Sequence, residues 1–100
     1  MAFVVRWTTP AHDDLDVIAR HIAVRDADAA ARVRNDLLDA VEVLRQFPLL
    51  GAICESDDTG ESREILCRLY RILYLVDDAS QTVEIAHVRH GARSEPRFPR

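Results

Sequence analysis

Four histidines, two cysteines, thirteen arginines and a run of aspartates are the residues of this 100-residue chain equipped to do chemistry. His87-x-x-His90 invites a metal reading, but side chains alternate along a strand, so the two imidazoles would face opposite ways. His12 and His21 stand nine apart with no neighbour at ligand spacing, and a zinc site needs several convergent ligands. Cys54 and Cys67 make no Cys-x-x-Cys pair and are expected as reduced thiols in or near a core. Asp13-Asp14-x-Asp16 suits the start of a helix, where carboxylates meet the positive end of the dipole. There is no glycine-rich phosphate loop and no helical His-Glu-x-x-His, and Gly60-Glu61-Ser62 lacks the strand-turn-helix elbow of a nucleophile. Neither a metal nor a cofactor is expected.

What remains is the chemistry of arginine. Every basic residue is arginine, yet the net charge is −4, which argues against a protein that grips nucleic acid unaided. The charge is uneven: residues 1–62 hold six arginines and twelve acids, whereas residues 63–100 hold seven arginines and five acids. An anionic partner is therefore expected to meet the C-terminal third. Arg63, Arg71, His90 and Arg93 are the candidate contacts, although Glu64, Asp77 and Glu84 lie where strand arginines could pair with them.

The elements that must position these groups can be read from periodicity. Phe3, Val5 and Trp7 alternate with Ala2, Val4 and Arg6, which predicts a strand. Thr9 and Pro10 suit the cap and first turn of a helix, whose apolar face is Ala11, Leu15, Ile18 and Ile22. Asp26 or Asp28 can start a second helix, reaching about Gln46, with Ala30, Val33, Leu37, Val41 and Leu44 on one face. So short a link predicts an antiparallel helical hairpin. Phe47-Pro48 ends it, Gly51 allows a turn, and residues 55–61 read as an exposed polar loop. Strands are expected at Arg63–Leu69, Tyr70–Asp77 and Thr82–Val88, with no glycine or proline at the first turn. The expected fold is α+β, in the order β-α-α-β-β-β: a helical hairpin on a small, mostly antiparallel sheet of four strands, strand one lying antiparallel beside the last strands. Length and composition (48% hydrophobic, 30% charged) fit a single domain over 1–100, with 91–100 as a tail. The apolar run Ile72–Val76 is too short to span a bilayer and the N-terminus lacks a signal-peptide succession, so a soluble cytoplasmic protein with no membrane partner is expected.

Several pieces together resemble the RelE/ParE toxin superfamily over about residues 3–95. They are Val5-Arg6-Trp7-Thr8, Asp14-Leu15-x-x-Ile18, Leu44-x-x-Phe47-Pro48-x-x-Gly51, Arg63-Glu64-Ile65, Tyr70-Arg71-Ile72-Leu73-Tyr74-x-Val76-Asp77 and Val83-x-Ile85-x-x-Val88-x-His90-Gly91-x-Arg93. The resemblance implies a toxin of a type II toxin–antitoxin system, held inactive by a cognate antitoxin of the ribbon-helix-helix, ParD-like kind. RelE-like members cut mRNA in the ribosomal A site; ParE-like members poison DNA gyrase. RelE-like nucleases use lysines and arginines on the middle strands, a basic residue or histidine ending the last strand, and often a tail tyrosine. Arg71 matches the arginine of the family's Tyr-Arg-x-x-Tyr strand, but this chain has no lysine, Gly91 stands where the catalytic cation would be, and Arg97 lies near the tail tyrosine's place. The expectation is a ParE-like inhibitor of DNA gyrase with Arg63, Arg71, His90 and Arg93 as target contacts and no catalytic residue. The alternative is a ribosome-dependent endoribonuclease acting on mRNA through Arg71, His90 and Arg93. A third reading is a non-toxic module that receives peptides at its sheet edge. The antitoxin is expected along the helices and sheet edge, with Asp36, Asp39 and Glu42 facing an arginine-bearing amphipathic segment.

Overall fold

The computed structural model describes residues 2–54 and 61–91. Their order is β1 (Val4–Trp7), α1 (Thr9–Ala23), α2 (Ala27–Glu42) with a 3₁₀ extension Val43–Arg45, β2 (Ala52–Ile53), β3 (Arg63–Cys67), β4 (Tyr70–Asp77) and β5 (Thr82–His90). The α+β architecture is as expected: the helical hairpin covers one face of a sheet ordered β1-β5-β4-β3-β2. Two details differ. The two-residue β2 adds a fifth strand, held by pairing to Glu64 and Arg63 rather than by any pattern of its own. And β1 runs parallel, not antiparallel, to β5, in register from Val4↔Thr82 to Trp7↔Ile85. The helices and two antiparallel hairpins between them form one long crossover, which parallel neighbours require.

Each helix starts on a side-chain cap. Thr8, one residue before the expected Thr9, accepts the Ala11 N–H at 3.2 Å and donates to the Ile85 carbonyl at 2.8 Å, so a single hydroxyl starts α1 and ties it to β5. Asp26 accepts from Ala29 N–H at 3.0 Å to start α2. The five apolar positions expected on α2 and its extension are all buried. Val33, Leu37, Val41 and Leu44 form one core cluster with Ile72, Tyr74, Val83, Ile85 and Val88 from the sheet, each fully buried side chain of this kind contributing about 1.5–3 kcal/mol. Since Ile72 and Tyr74 face the helices, Arg71, Leu73 and Leu75 face outward. On β5 the pairing shifts between Leu73 and Tyr74, leaving Ala86 as an extra residue. That bulge changes the phase, so Val83 and Ile85 before it and Val88 after it all reach the core.

The β3–β4 turn at Arg68-Leu69 has no glycine because Arg68 itself adopts φ 57°, its guanidinium held 2.6 Å from Asp36 on α2. Glycine is required elsewhere. A Cβ on Gly51 would lie 2.5 Å from the Glu64 carbonyl oxygen and 2.8 Å from Tyr74 Oη. No helix among the described residues is long and apolar enough to cross a membrane. The tail proper, 92–100, and most of the expected loop, 55–60, lie outside the described residues.

Candidate functional site

Arg71 and His90 come to the same end of the sheet, since Tyr70 pairs with His90 and Arg71 with Arg89. They do not share an environment. The Arg71 side chain is only 12% exposed, with Nε 2.8 Å from Glu64 Oε1, Nη2 4.0 Å from Cys54 Sγ, and its methylenes against Gly91. His90 is exposed and sets its ring edge-on to Tyr70, centroids 5.5 Å apart. Arg63 is elsewhere: it pairs with the core residue Tyr74 and donates from Nη1 to the Gly51 carbonyl at 2.7 Å. The fourth candidate, Arg93, lies outside the described residues. Two of the expected cations thus spend their charge on their own chain, one on a carboxylate and one on backbone carbonyls.

Two further groups stand on β5, Arg89, which was not among the expected contacts, and His87. Arg89 is exposed, directly opposite Arg71 on the outward face, and has no ion pair among the described residues. The signal for it was the spacing Val83-x-Ile85-x-x-Val88, whose extra residue marks the bulge that turns Arg89 outward. His87 Nδ1 lies 3.2 Å from Asp14 Oδ2, and the same oxygen accepts the Val88 N–H at 3.0 Å. Asp14 therefore serves β5 past the point where β1 stops, rather than the dipole of its own helix. The opposite-ways reading of His87 and His90 fits these separate partners.

Near the start of α1, His12, Asp13 and Asp16 can each bring one ligand atom within 4.8 Å of the others, all at or near the surface. This corrects the view that His12 lacks neighbours at ligand spacing; Asp16, one turn on, supplies one. Both cysteines are free thiols, Cys54 buried and Cys67 half-buried. Burial, then the nearby Asp36 charge, pushes the Cys67 thiol above its usual range, against a smaller pull from Arg68.

The acids on α2 divide in a similar way. Asp36 is paired with Arg68 and Glu42 with Arg45, each at 2.6 Å. Asp39 is exposed, with no ion pair among the described residues. Exposed apolar side chains cluster after α2, where Phe47, Leu49, Leu50 and Ile53 are each more than half exposed. A shallow concavity of about 640 Å³ is lined by Arg6, Arg63, Glu61, Asp77, Asp78 and Glu84 among others. Four acids against two arginines, with Arg6 already paired to Glu84, make it a poor anion site. Within residues 63–91 four arginines meet four acids, so the basic excess of the C-terminal third lies in residues 92–100.

Comparison with known proteins adds to this geometry. The family described as "ParE toxin of type II toxin-antitoxin system, parDE" matches residues 5–95. A Sinorhizobium fredii relative that carries a toxin name, Y4kP, is 36% identical over 93 residues, covering 92% of each chain. Among solved structures, the toxin–antitoxin complex RelBE2 of Mycobacterium tuberculosis is similar at TM-score 0.66 and 28% identity, over 90% of this chain and 99% of that one. A chain of the chromosomal ParDE system of P. aeruginosa reaches TM-score 0.74 at 21% identity, over 89% and 96%, a likeness of fold.

Proposed function

From the premise that this chain belongs to the ParE toxin family of type II toxin–antitoxin systems, we propose that it inhibits DNA gyrase and is neutralised by a cognate ParD-like antitoxin. The observation that carries the target assignment is the Arg71–Glu64 pair. Cleavage of RNA through its 2′-oxygen needs a base, cations on the phosphate and an acid for the leaving oxygen. Here the strand arginine that would hold the phosphate is largely buried against a carboxylate, and the chain contains no lysine. A gyrase poison needs none of that machinery, because it has only to bind and stabilise a cleaved intermediate. Arg89, His90 and Arg93 are the contacts this reading favours, with Arg71 opposite Arg89 on β4.

The antitoxin partner is supported by the resemblance to the RelBE2 toxin–antitoxin complex. Its binding surface is proposed along the helices and the β2–β3 edge, where Asp39 and the apolar run 47–53 are open to a folding segment. The paired acids Asp36 and Glu42 would rim that surface. The likeness to RelBE2 also keeps the ribosome-dependent nuclease as a second reading. Induction of the chain should arrest growth, and co-expression of the small protein encoded beside it should restore growth. Full tolerance of the chain alone would contradict the toxin reading, and mRNA cutting on programmed ribosomes that Arg71→Ala abolishes would establish the second reading instead.

A further inference from the structure

The β3–β4 hairpin turns through Arg68 and Leu69, a two-residue loop where glycine, asparagine or aspartate is the usual choice. Arg68 takes the left-handed conformation that glycine would take more easily. The turn is nevertheless held from two sides. Arg68 places Nη2 2.6 Å from Asp36 Oδ2 on α2, and the Leu69 carbonyl accepts the Gly91 N–H at 2.7 Å. On this anchored turn Leu66 is 72% exposed and Leu69 61% exposed. With Arg68 and Gly91 they line a recess of about 160 Å³, room for a group the size of a benzene ring. Two leucines left in solvent add little to the core, but their apolar area stabilises any contact that covers it.

We propose that this turn anchors a partner protein, its recess receiving one aromatic or aliphatic side chain. Charge decides the rest of the partner's chemistry. Arg89 and His90 are exposed at the same end of the sheet, where Tyr70 pairs with His90. The acids near them are engaged, Asp36 with Arg68 and Glu64 with Arg71. The partner's side chain is therefore bordered by carboxylates that meet Arg89 and His90. A protein fits this surface better than a nucleic acid does. Residues 63–91 hold four arginines and four acids, which leaves no basic excess to grip a phosphate backbone. The inference rests on the gyrase reading, which makes gyrase the partner and the turn part of its contact. The apolar run 47–53 lies at the other end of β3, where Ile53 pairs with Arg63, so the two apolar contacts can be lost separately.

The test is binding of the purified chain to purified gyrase holoenzyme, with and without DNA, and to the small protein encoded beside it. Leu66→Ser combined with Leu69→Ser should weaken gyrase binding at least about thirtyfold, and change antitoxin binding by no more than about twofold. The loss should be the same at low and high salt, whereas the loss in Arg89→Gln should shrink as salt rises. Val24→Ser, which removes another exposed apolar side chain at the end of α1, should leave gyrase binding unchanged. Undiminished gyrase binding in the leucine variant would overturn the proposal and leave the gyrase reading intact. A wild-type chain that neither binds gyrase nor alters its supercoiling would overturn both. An equal loss of antitoxin binding would overturn the proposal by giving the turn to the antitoxin. Wild-type binding to DNA alone that the leucine variant loses would overturn it in favour of nucleic acid. If the double variant is unfolded by circular dichroism, Leu69→Ala carries the test. A loss of at least about fivefold is then expected, and no loss contradicts the proposal.

Discussion

Tyr74 joins the core to the chain leaving the helices. Its hydroxyl accepts the Gly51 N–H and donates to the Pro48 carbonyl, both at 2.8 Å, while the side chain is fully buried. Tyr74→Phe leaves both backbone groups without that partner, and should lower unfolding free energy by about 1–3 kcal/mol in urea titration. Burial raises the hydroxyl pKa above its usual value near 10, opposed by the Gly51 hydrogen bond and the Arg63 charge. The folded chain then keeps a proton that the unfolded chain releases, so stability falls as pH climbs from about 10 upward. Melting curves across that range should show a shallower alkaline decline in Tyr74→Phe than in wild type. Tyr74 as a core aromatic was legible from its alternation with apolar neighbours; its two bonds, to residues 23 and 26 positions away, were not. The same holds for Arg71, whose type and position were readable in sequence while its burial against Glu64 and Gly91 depended on the register of three strands.

Among the elements, β5 is completed by residues from outside the sheet. Beyond Trp7↔Ile85 the edge left open by β1 is taken over by Thr8 on the Ile85 carbonyl and Asp14 on the Val88 N–H. Asp14→Ala should cost about 1–3 kcal/mol by thermal or urea unfolding, and Asp14→Asn should recover most of it, since an amide oxygen still accepts the N–H. An equal loss in both would mean that the carboxylate charge on His87 matters more than the strand bond. The β3–β4 turn sets strain against an ion pair. A left-handed arginine costs about 1 kcal/mol or more, and its exposed pair with Asp36 returns at most about 1 kcal/mol. Arg68→Gly should therefore be neutral to slightly stabilising, and a loss above about 1 kcal/mol would show that the Asp36 tie is stronger than surface pairs usually are. The helices and long strands were legible because their periodicity is local. The glycine-free turn was not, because what holds it is a residue on α2, 32 positions earlier.

For the whole molecule, the order of elements could be read from the sequence but the direction of β1 could not, since no local pattern says which way a distant strand will lie. The charge map changed in a similar way. The basic excess assigned to the C-terminal third is absent from residues 63–91 and falls to 92–100, outside the described residues. The reading we propose, a toxin that binds its target without cutting RNA, is supported by strand arginines that are mostly engaged within their own chain, on a fold shared with toxin–antitoxin proteins. The most direct measurement of that claim is DNA supercoiling and cleavage by purified gyrase with increasing amounts of the purified chain, alone and with its antitoxin. The account predicts loss of supercoiling with accumulation of gyrase-linked cleaved DNA, both reversed by the antitoxin. Unimpaired supercoiling with no cleaved DNA, at toxin concentrations that cut mRNA on programmed ribosomes, would contradict it.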